Sequence, residues 1–174
     1  MAGDSCSEIF KTAENLVEGG PLRHFCASAY VYNPKTNEFL LIRHRKRGCW
    51  IPPGGHVEDN ERPDITAIRE TLEETGIAVR LIGAPAPLFH GEVAIAQPFG
   101  LRIYEDGPCH EHMSFLYAAI PVGGSLAMSE REVEDVGWFL LEKILSESFG
   151  AAPAVGDWCR FLSKQLPQLL LAKN

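Results

Sequence analysis

Apolar and polar positions along this chain follow two periods, and they predict strands interleaved with helices. Short runs rich in β-branched and aromatic residues, bounded by turn residues, are typical of strands. The turn cluster 33–37 separates the first two of these runs, which are therefore predicted to form a hairpin. The predicted strands are 24–33, 39–42, 77–82, part of 88–104, 115–120 and 138–141.

Three segments have apolar residues at helical spacing: 6–18, a central helix and 154–172. The central helix is predicted to begin at Pro63, where a missing N–H costs nothing, and to end at Thr75 with Gly76 as its left-handed terminator. Pro167 is expected to kink the last helix or to begin a final turn. Two prolines and two glycines within 49–55 predict a fixed loop without regular structure.

The length of 174 residues suits a single mixed α/β domain spanning 1–174. Within it, residues 1–20 are interpreted as an N-terminal helix and 154–172 as a C-terminal helix added to the core. At this size about two thirds of the unfolded surface can be buried, so the core needs neither a disulfide nor a metal.

Composition narrows the classes of partner and compartment. The net charge of −7 argues against a broad nucleic-acid surface, and no apolar run approaches a membrane span. The N-terminal segment is too acidic for a signal peptide. Five widely spaced cysteines without a C-x-x-C motif indicate a reducing compartment, and we expect the cytoplasm.

The central helix combines an apolar stripe with an acidic face. At 100° per residue, Ile65, Ile68 and Leu72 fall together and are predicted to form its buried side. The opposite face carries three carboxylates: Glu70, Glu73 and Glu74.

Two interpretations of this acidic face are open on the residues alone. It is either a solvated surface or a site for a divalent cation, which would remove the repulsion between the carboxylates. Hard oxygen ligands favour Mg²⁺ or Mn²⁺ over zinc. Gly54 and Gly55 lie just upstream and allow the backbone to approach this face closely.

The spacing of the fixed residues around this helix resembles the Nudix box of the MutT-like Nudix hydrolases. Gly55 is followed by Glu61 and then by the run Arg-Glu-Thr-Leu-Glu-Glu-Thr-Gly-Ile, which begins at Arg69. The resemblance covers about 24–141. Thr71 departs from the pattern, since an aliphatic residue usually stands there, but no carboxylate is missing.

This resemblance implies an α/β/α sandwich around a central mixed sheet, with the box as a metal-dependent catalytic platform. Arg69 is expected to hold the glutamates in place, and Glu61 to tie the loop to the helix. The implied metal ligands are Gly55, through its carbonyl, and Glu70, Glu73 and Glu74.

The implied reaction is hydrolysis of the phosphoanhydride in a nucleoside diphosphate linked to another moiety, or in a nucleoside triphosphate, with Mg²⁺ or Mn²⁺ as cofactor. We favour Glu73 as general base, although relatives also place the base on a downstream loop. The downstream candidates are Glu111, Glu130 and Glu132. The expected partner is a small nucleotide, not an extended nucleic acid or a membrane, and a homodimer stays open because many relatives dimerise.

Further candidates for substrate binding surround the box, each with a plainer interpretation. Arg43 and Arg45 could reach phosphate or remain solvated, and Trp50 could stack on a base or fill the core. His56, in a Gly-His-Val-Glu variant of the box, and Glu111 are also candidates. The His110–Glu111–His112 sequence is a weak metal pair, because it lacks a third ligand.

The charge distribution favours a phosphate ligand held through metal. Residues 55–77 contain seven acidic and two basic side chains, so most of the −7 lies in this segment. Subfamily markers for dinucleoside polyphosphates, ADP-ribose and coenzyme A are missing, and the substrate is open. The alternatives are a nucleotide-sensing module without hydrolysis and an isoprenoid-diphosphate isomerase, which would need Cys49 in a motif it does not occupy.

Overall fold

A computed structural model describes residues 20–83, 89–129 and 131–171. The helix predicted at 6–18 lies outside these residues. Within the described ranges, no helix is long and apolar enough to cross a membrane. The strands are β1 Leu22–Asn33, β2 Glu38–His44, β3 Cys49–Ile51, β4 Gly54–His56, β5 Ile77–Ile82, β6 Gly100–Glu105, β7 His110–Gly124 and β8 Val133–Leu140. The helices are α1 Pro63–Thr75, α2 Leu141–Ile144 and α3 Val155–Leu171.

The strands form one mixed sheet. Its main order is β3-β2-β1-β7-β5, with β4 on β1, β6 on β7 and β8 on β2. β1 and β7 run parallel, and the other named pairs are antiparallel. The parallel pairing of β1 with β7 joins segments about 90 residues apart, and it organises the centre of the sheet.

The predicted strands are present, most of them longer than expected. The hairpin of β1 and β2 is confirmed, with Tyr32 opposite Phe39. The prediction that 49–55 has no regular structure is wrong, because β3 pairs with β2 and β4 with β1 around Pro52 and Pro53. Neighbouring strands satisfy the backbone of these short segments, so the prolines interrupt the structure without abolishing it.

Two helices cover opposite faces of the sheet. α1 packs on a cluster that includes Ala27, Ala29 and Tyr117, whereas Leu162 and Leu166 of α3 pack on a cluster of the other face. The bounds predicted for α1 are confirmed, and Gly76 caps it at φ 70°. Pro167 lies inside α3, which continues to Leu171.

The prediction of which side of α1 is buried is wrong for Ile65 and Leu72, whereas Ile68 packs against the core. Ile65 is 42% and Leu72 49% exposed, whereas Ala67 and Thr71 are fully buried. Small side chains let the helix approach the sheet closely, and the Thr71 hydroxyl donates to the Ala67 carbonyl oxygen at 2.7 Å. The buried side is therefore rotated by roughly a third of a turn from the apolar stripe, and it includes Glu74.

Substitutions on the two sides of α1 should differ in their effect on stability. Ala67→Leu overpacks the helix–sheet contact and should lower the free energy of unfolding by about 1–3 kcal/mol. Leu72→Gln, on the exposed side, should change it by less than about 0.5 kcal/mol. Urea denaturation measures both, and a larger loss for Leu72→Gln would contradict this orientation of the helix.

Candidate functional site

The glycines of β4 lie directly beneath the glutamates of α1. The backbone N–H of Gly54 donates to Glu74 Oε2 at 2.9 Å. A Cβ at Gly55 would collide with the carboxylate of Glu70, so a larger residue here would require that side chain to move. The structure thus brings together Gly55, Glu70 and Glu74, as the motif predicts.

The three carboxylates of α1 differ in exposure. Glu74 is only 5% exposed, the Glu70 side chain is largely buried, and the Glu73 side chain is 59% exposed. Burial raises the pKa of Glu74 to about 8, against the lowering effect of the Gly54 N–H. Burial also raises the pKa of Glu70, although the positive charge of Arg69 opposes it. The positive charge near Glu70 and Glu74 is therefore too small to offset the cost of ionising both buried carboxyl groups.

Arg69 joins the loop before α1 to the glutamates on it. Its Nε and Nη2 donate to the two carboxylate oxygens of Glu61, at 2.8 and 2.9 Å. Its Nη1 donates to Glu70 at 2.9 Å and to Glu73 at 3.2 Å. One guanidinium thus contacts three carboxylates, and the paired bonds to Glu61 fix its orientation.

Glu61 anchors the loop that precedes α1. Besides Arg69, its carboxylate accepts a hydrogen bond from the hydroxyl of Thr66 at 2.7 Å. The hydrogen bonds from Arg69, the largest cause, lower the pKa of Glu61 to about 2. Glu61 therefore stays ionised in the folded protein and serves as a structural partner of Arg69.

The Glu61–Arg69 pair should give the protein an acid-sensitive component of stability. The pKa of Glu61 is about 2 in the folded state and 4.5 for a free side chain. Its charge therefore stabilises the fold fully at pH values above 4.5. This contribution is lost as the pH falls from about 4.5 towards 2. Glu61→Gln should therefore flatten the dependence of the unfolding free energy on pH across this window. Urea titrations measure it, with Glu142→Gln as control, and equal slopes in all three proteins would contradict the pairing.

The downstream acidic residues lie in different places. Glu111 forms an ion pair with Arg23 at 2.9 Å, on the face of β7 opposite His110 and His112. Glu130 lies outside the described residues. The negative charge of Glu132 contributes to the raised pKa of Glu74, so Glu132 lies near the box.

The basic candidates and the aromatic candidate lie in different surroundings. Nε of Arg43 donates to Glu134 at 3.2 Å, and Nη2 of Arg45 donates to the carbonyl of Val133 at 3.4 Å. Both side chains are exposed. Trp50 is buried and stacks on Phe149 in the core, so we leave it out of the proposed site.

His56 lies in a group of histidines that the sequence interpretation did not assemble. The ring of His56 is 5.3 Å from that of His24 and 4.8 Å from that of His112. The ring of His110 is 4.8 Å from that of His24. Alternation along β1 and β7 puts these residues on one face, but the pairing of these strands was not visible in the sequence.

Comparison with protein families identifies the architecture around the box. The family model described as "NUDIX domain" matches residues 22–158. The chain belongs to the NUDIX family. This confirms the resemblance drawn from the box, and the match extends beyond the 24–141 predicted from the sequence.

Curated relatives match this chain over part of their own length. One, named "Probable DHNTP pyrophosphohydrolase" from Lactococcus lactis, is 33% identical over 116 residues, which are 67% of this chain and 62% of the relative. The asymmetrical bis(5'-nucleosyl)-tetraphosphatase of Mus musculus is 52% identical over 44 residues, 24% of this chain and 29% of that protein. The chain thus spans less than two thirds of the length of these relatives.

Solved structures share the fold. A NUDIX family hydrolase from Clostridium perfringens superposes with a TM-score of 0.70 at 25% identity, covering 83% of this chain and 98% of that one. An Ap4A hydrolase complex from C. elegans gives a TM-score of 0.65 at 22% identity, over 83% and 98%. The predicted α/β/α sandwich with a mixed sheet is confirmed.

Proposed function

We propose that this NUDIX protein is a divalent-metal-dependent hydrolase of the phosphoanhydride in a nucleoside-diphosphate derivative or a nucleoside triphosphate. The observation that carries this proposal is the convergence of the Glu70 and Glu74 carboxylates on the glycines of β4. Two buried carboxyl groups at one backbone segment are costly to ionise unless a cation offsets their charge.

The donors present fit Mg²⁺ or Mn²⁺. Both are hard cations that take carboxylate and carbonyl oxygens, and both leave positions for substrate phosphate. The space left by the missing Cβ of Gly55 keeps its backbone next to Glu70. The residues that would hold the cation are Gly55, through its carbonyl, and Glu70, Glu73 and Glu74.

A bound cation would neutralise phosphate charge and activate water for attack. The other tasks belong to side chains of this chain. Arg69, fixed by Glu61, keeps Glu70 and Glu73 in place through charge-assisted hydrogen bonds. Glu73, the most exposed of the three, is our proposed general base and would accept the proton of the attacking water at a carboxylate oxygen. Glu132 is the downstream alternative.

We propose a small nucleotide as the substrate. The names of two relatives, a DHNTP pyrophosphohydrolase and a bis(5'-nucleosyl)-tetraphosphatase, both refer to polyphosphate-containing compounds. Arg43 and Arg45 are proposed to contact the substrate. A cytoplasmic location stays a prediction from the sequence, which left a homodimer open.

A substrate panel tests this proposal. The full chain with Mg²⁺ is incubated with nucleoside triphosphates, nucleotide sugars, ADP-ribose and dinucleoside polyphosphates, and phosphate is measured after coupling to a phosphatase. We expect turnover of at least one class, lost on chelation and restored by Mg²⁺. Nucleotide binding without turnover on any compound would overturn the proposal in favour of a sensing module.

A further inference from the structure

Four of the six histidines of the chain converge on one face of the sheet, together with a cysteine. In the parallel ladder His24 is opposite His112, and in the antiparallel ladder Cys26 is opposite His56. Paired residues of neighbouring strands point to the same face. Three elements far apart in sequence, β1, β4 and β7, therefore bring imidazole and thiol groups to one place.

The distances between their ligand atoms suit a metal ion. One ligand atom from each of Cys26, His56 and His112 lies within 4.8 Å of the other two. The same holds for the set of Asp106, His110 and His112. Zinc bonds of about 2.0–2.3 Å would require these atoms to draw together by about 1 Å, which side-chain rotation can supply.

The orientation of His112 leaves one ring nitrogen available. His112 is 3% exposed, and its Nδ1 lies 3.1 Å from the hydroxyl of Tyr104. Its Nε2 is buried, lies 3.4 Å from the Asp106 carboxylate and makes no hydrogen bond to the residues that the structure describes. A hydrogen bond on one nitrogen and an unused lone pair on the other is the usual arrangement of a metal-binding histidine.

We infer that Cys26, His56 and His112 form a transition-metal site of the zinc class, built from donors other than the box carboxylates. Asp106 or His110 could supply a fourth ligand, because both lie beside His112. Nitrogen and sulfur donors select Zn²⁺ over Mg²⁺, whereas the oxygen donors of the box have the opposite preference. On binding, the Sγ–H bond of Cys26 breaks, a sulfur–metal bond forms and the proton goes to solvent.

β4 connects this site to the box. Gly55 contacts Glu70 on one side, and the next residue, His56, reaches the histidines on the other. The inference does not depend on hydrolysis, because it rests on the donor atoms alone.

Cobalt binding tests the site on the full chain. The protein is stripped with chelator under reducing conditions and titrated with Co²⁺ in excess Mg²⁺. We expect one equivalent bound, with sulfur-to-cobalt charge-transfer absorption that Zn²⁺ abolishes by displacement. Cys26→Ser should lose this absorption, and His56→Gln should weaken binding at least ~10-fold. His56 is exposed, so this variant should fold even if a change at buried His112 does not.

Matched variants separate this site from others. Cys49→Ser and His90→Gln should bind Co²⁺ like the wild type. Glu73→Gln should keep the absorption while losing hydrolysis, so failure here and failure of the proposed function are distinguishable. Absence of charge-transfer absorption in the wild type, or unchanged binding in Cys26→Ser and His56→Gln, would overturn the inference.

Discussion

Replacing Glu74 by Gln should lower kcat/KM at least ~100-fold while leaving the metal-free protein at least as stable as the wild type. The substitution preserves shape, and the amide oxygen can still accept the Gly54 N–H. It removes a carboxyl group whose charged form is disfavoured by burial, which raises the pKa of Glu74 to about 8, so the folded state should gain from the substitution. A cation held by this carboxylate would lose one anionic ligand.

Steady-state kinetics with the best substrate of the panel, and thermal unfolding in chelator, measure these two effects. Glu142→Gln in α2 is the matched control and should behave like the wild type in both. Wild-type kcat/KM in Glu74→Gln would contradict a role for this carboxylate. A large loss of stability together with activity would instead indicate that Glu74 is structural.

Gly55→Ala should lower kcat about 100-fold, the size of effect expected when catalytic groups shift by about 1 Å. The new methyl group would occupy the space of the Glu70 carboxylate, so Glu70 or β4 must move. A shift of Glu70 also disturbs Arg69, which donates to it at 2.9 Å. The carbonyl of Gly55 would move with its strand.

Gly123→Ala is the control for this substitution, because an added Cβ at Gly123 meets nothing within 4 Å. Kinetics and circular dichroism of both variants, in parallel, separate a local shift from misfolding. A Gly55→Ala protein with normal kcat would show that the close approach to Glu70 is unnecessary.

Local sequence signals were enough to predict much of this molecule. Pro63 and Gly76 bound α1 because both act through their own backbone chemistry. The turn residues between β1 and β2 predict their hairpin for the same reason. The box spacing identified the family, which the match over 22–158 confirms.

Features that depend on distant contacts were predicted poorly. The buried side of α1 is lined by Ala67 and Thr71, because the helix lies close to the sheet and small side chains fit between them. An apolar stripe on a helix does not carry this information. The cluster around His112 depends on the pairing of β1 with β7, which the sequence of neither strand specifies. His110 and His112 therefore looked like an incomplete pair until Cys26 and His56 were placed beside them.

Mn²⁺ binding measured by electron paramagnetic resonance tests most directly whether the box holds a cation. Free Mn²⁺ gives a strong signal that is lost on binding, so affinities follow for the wild type, Glu70→Gln and Glu74→Gln. Nitrogen and sulfur sites bind Mn²⁺ least among the divalent transition metals, so the signal reports the oxygen donors. We predict binding by the wild type and at least ~10-fold weaker binding by each variant. Equal affinity in all three proteins would contradict a metal centre built on these carboxylates.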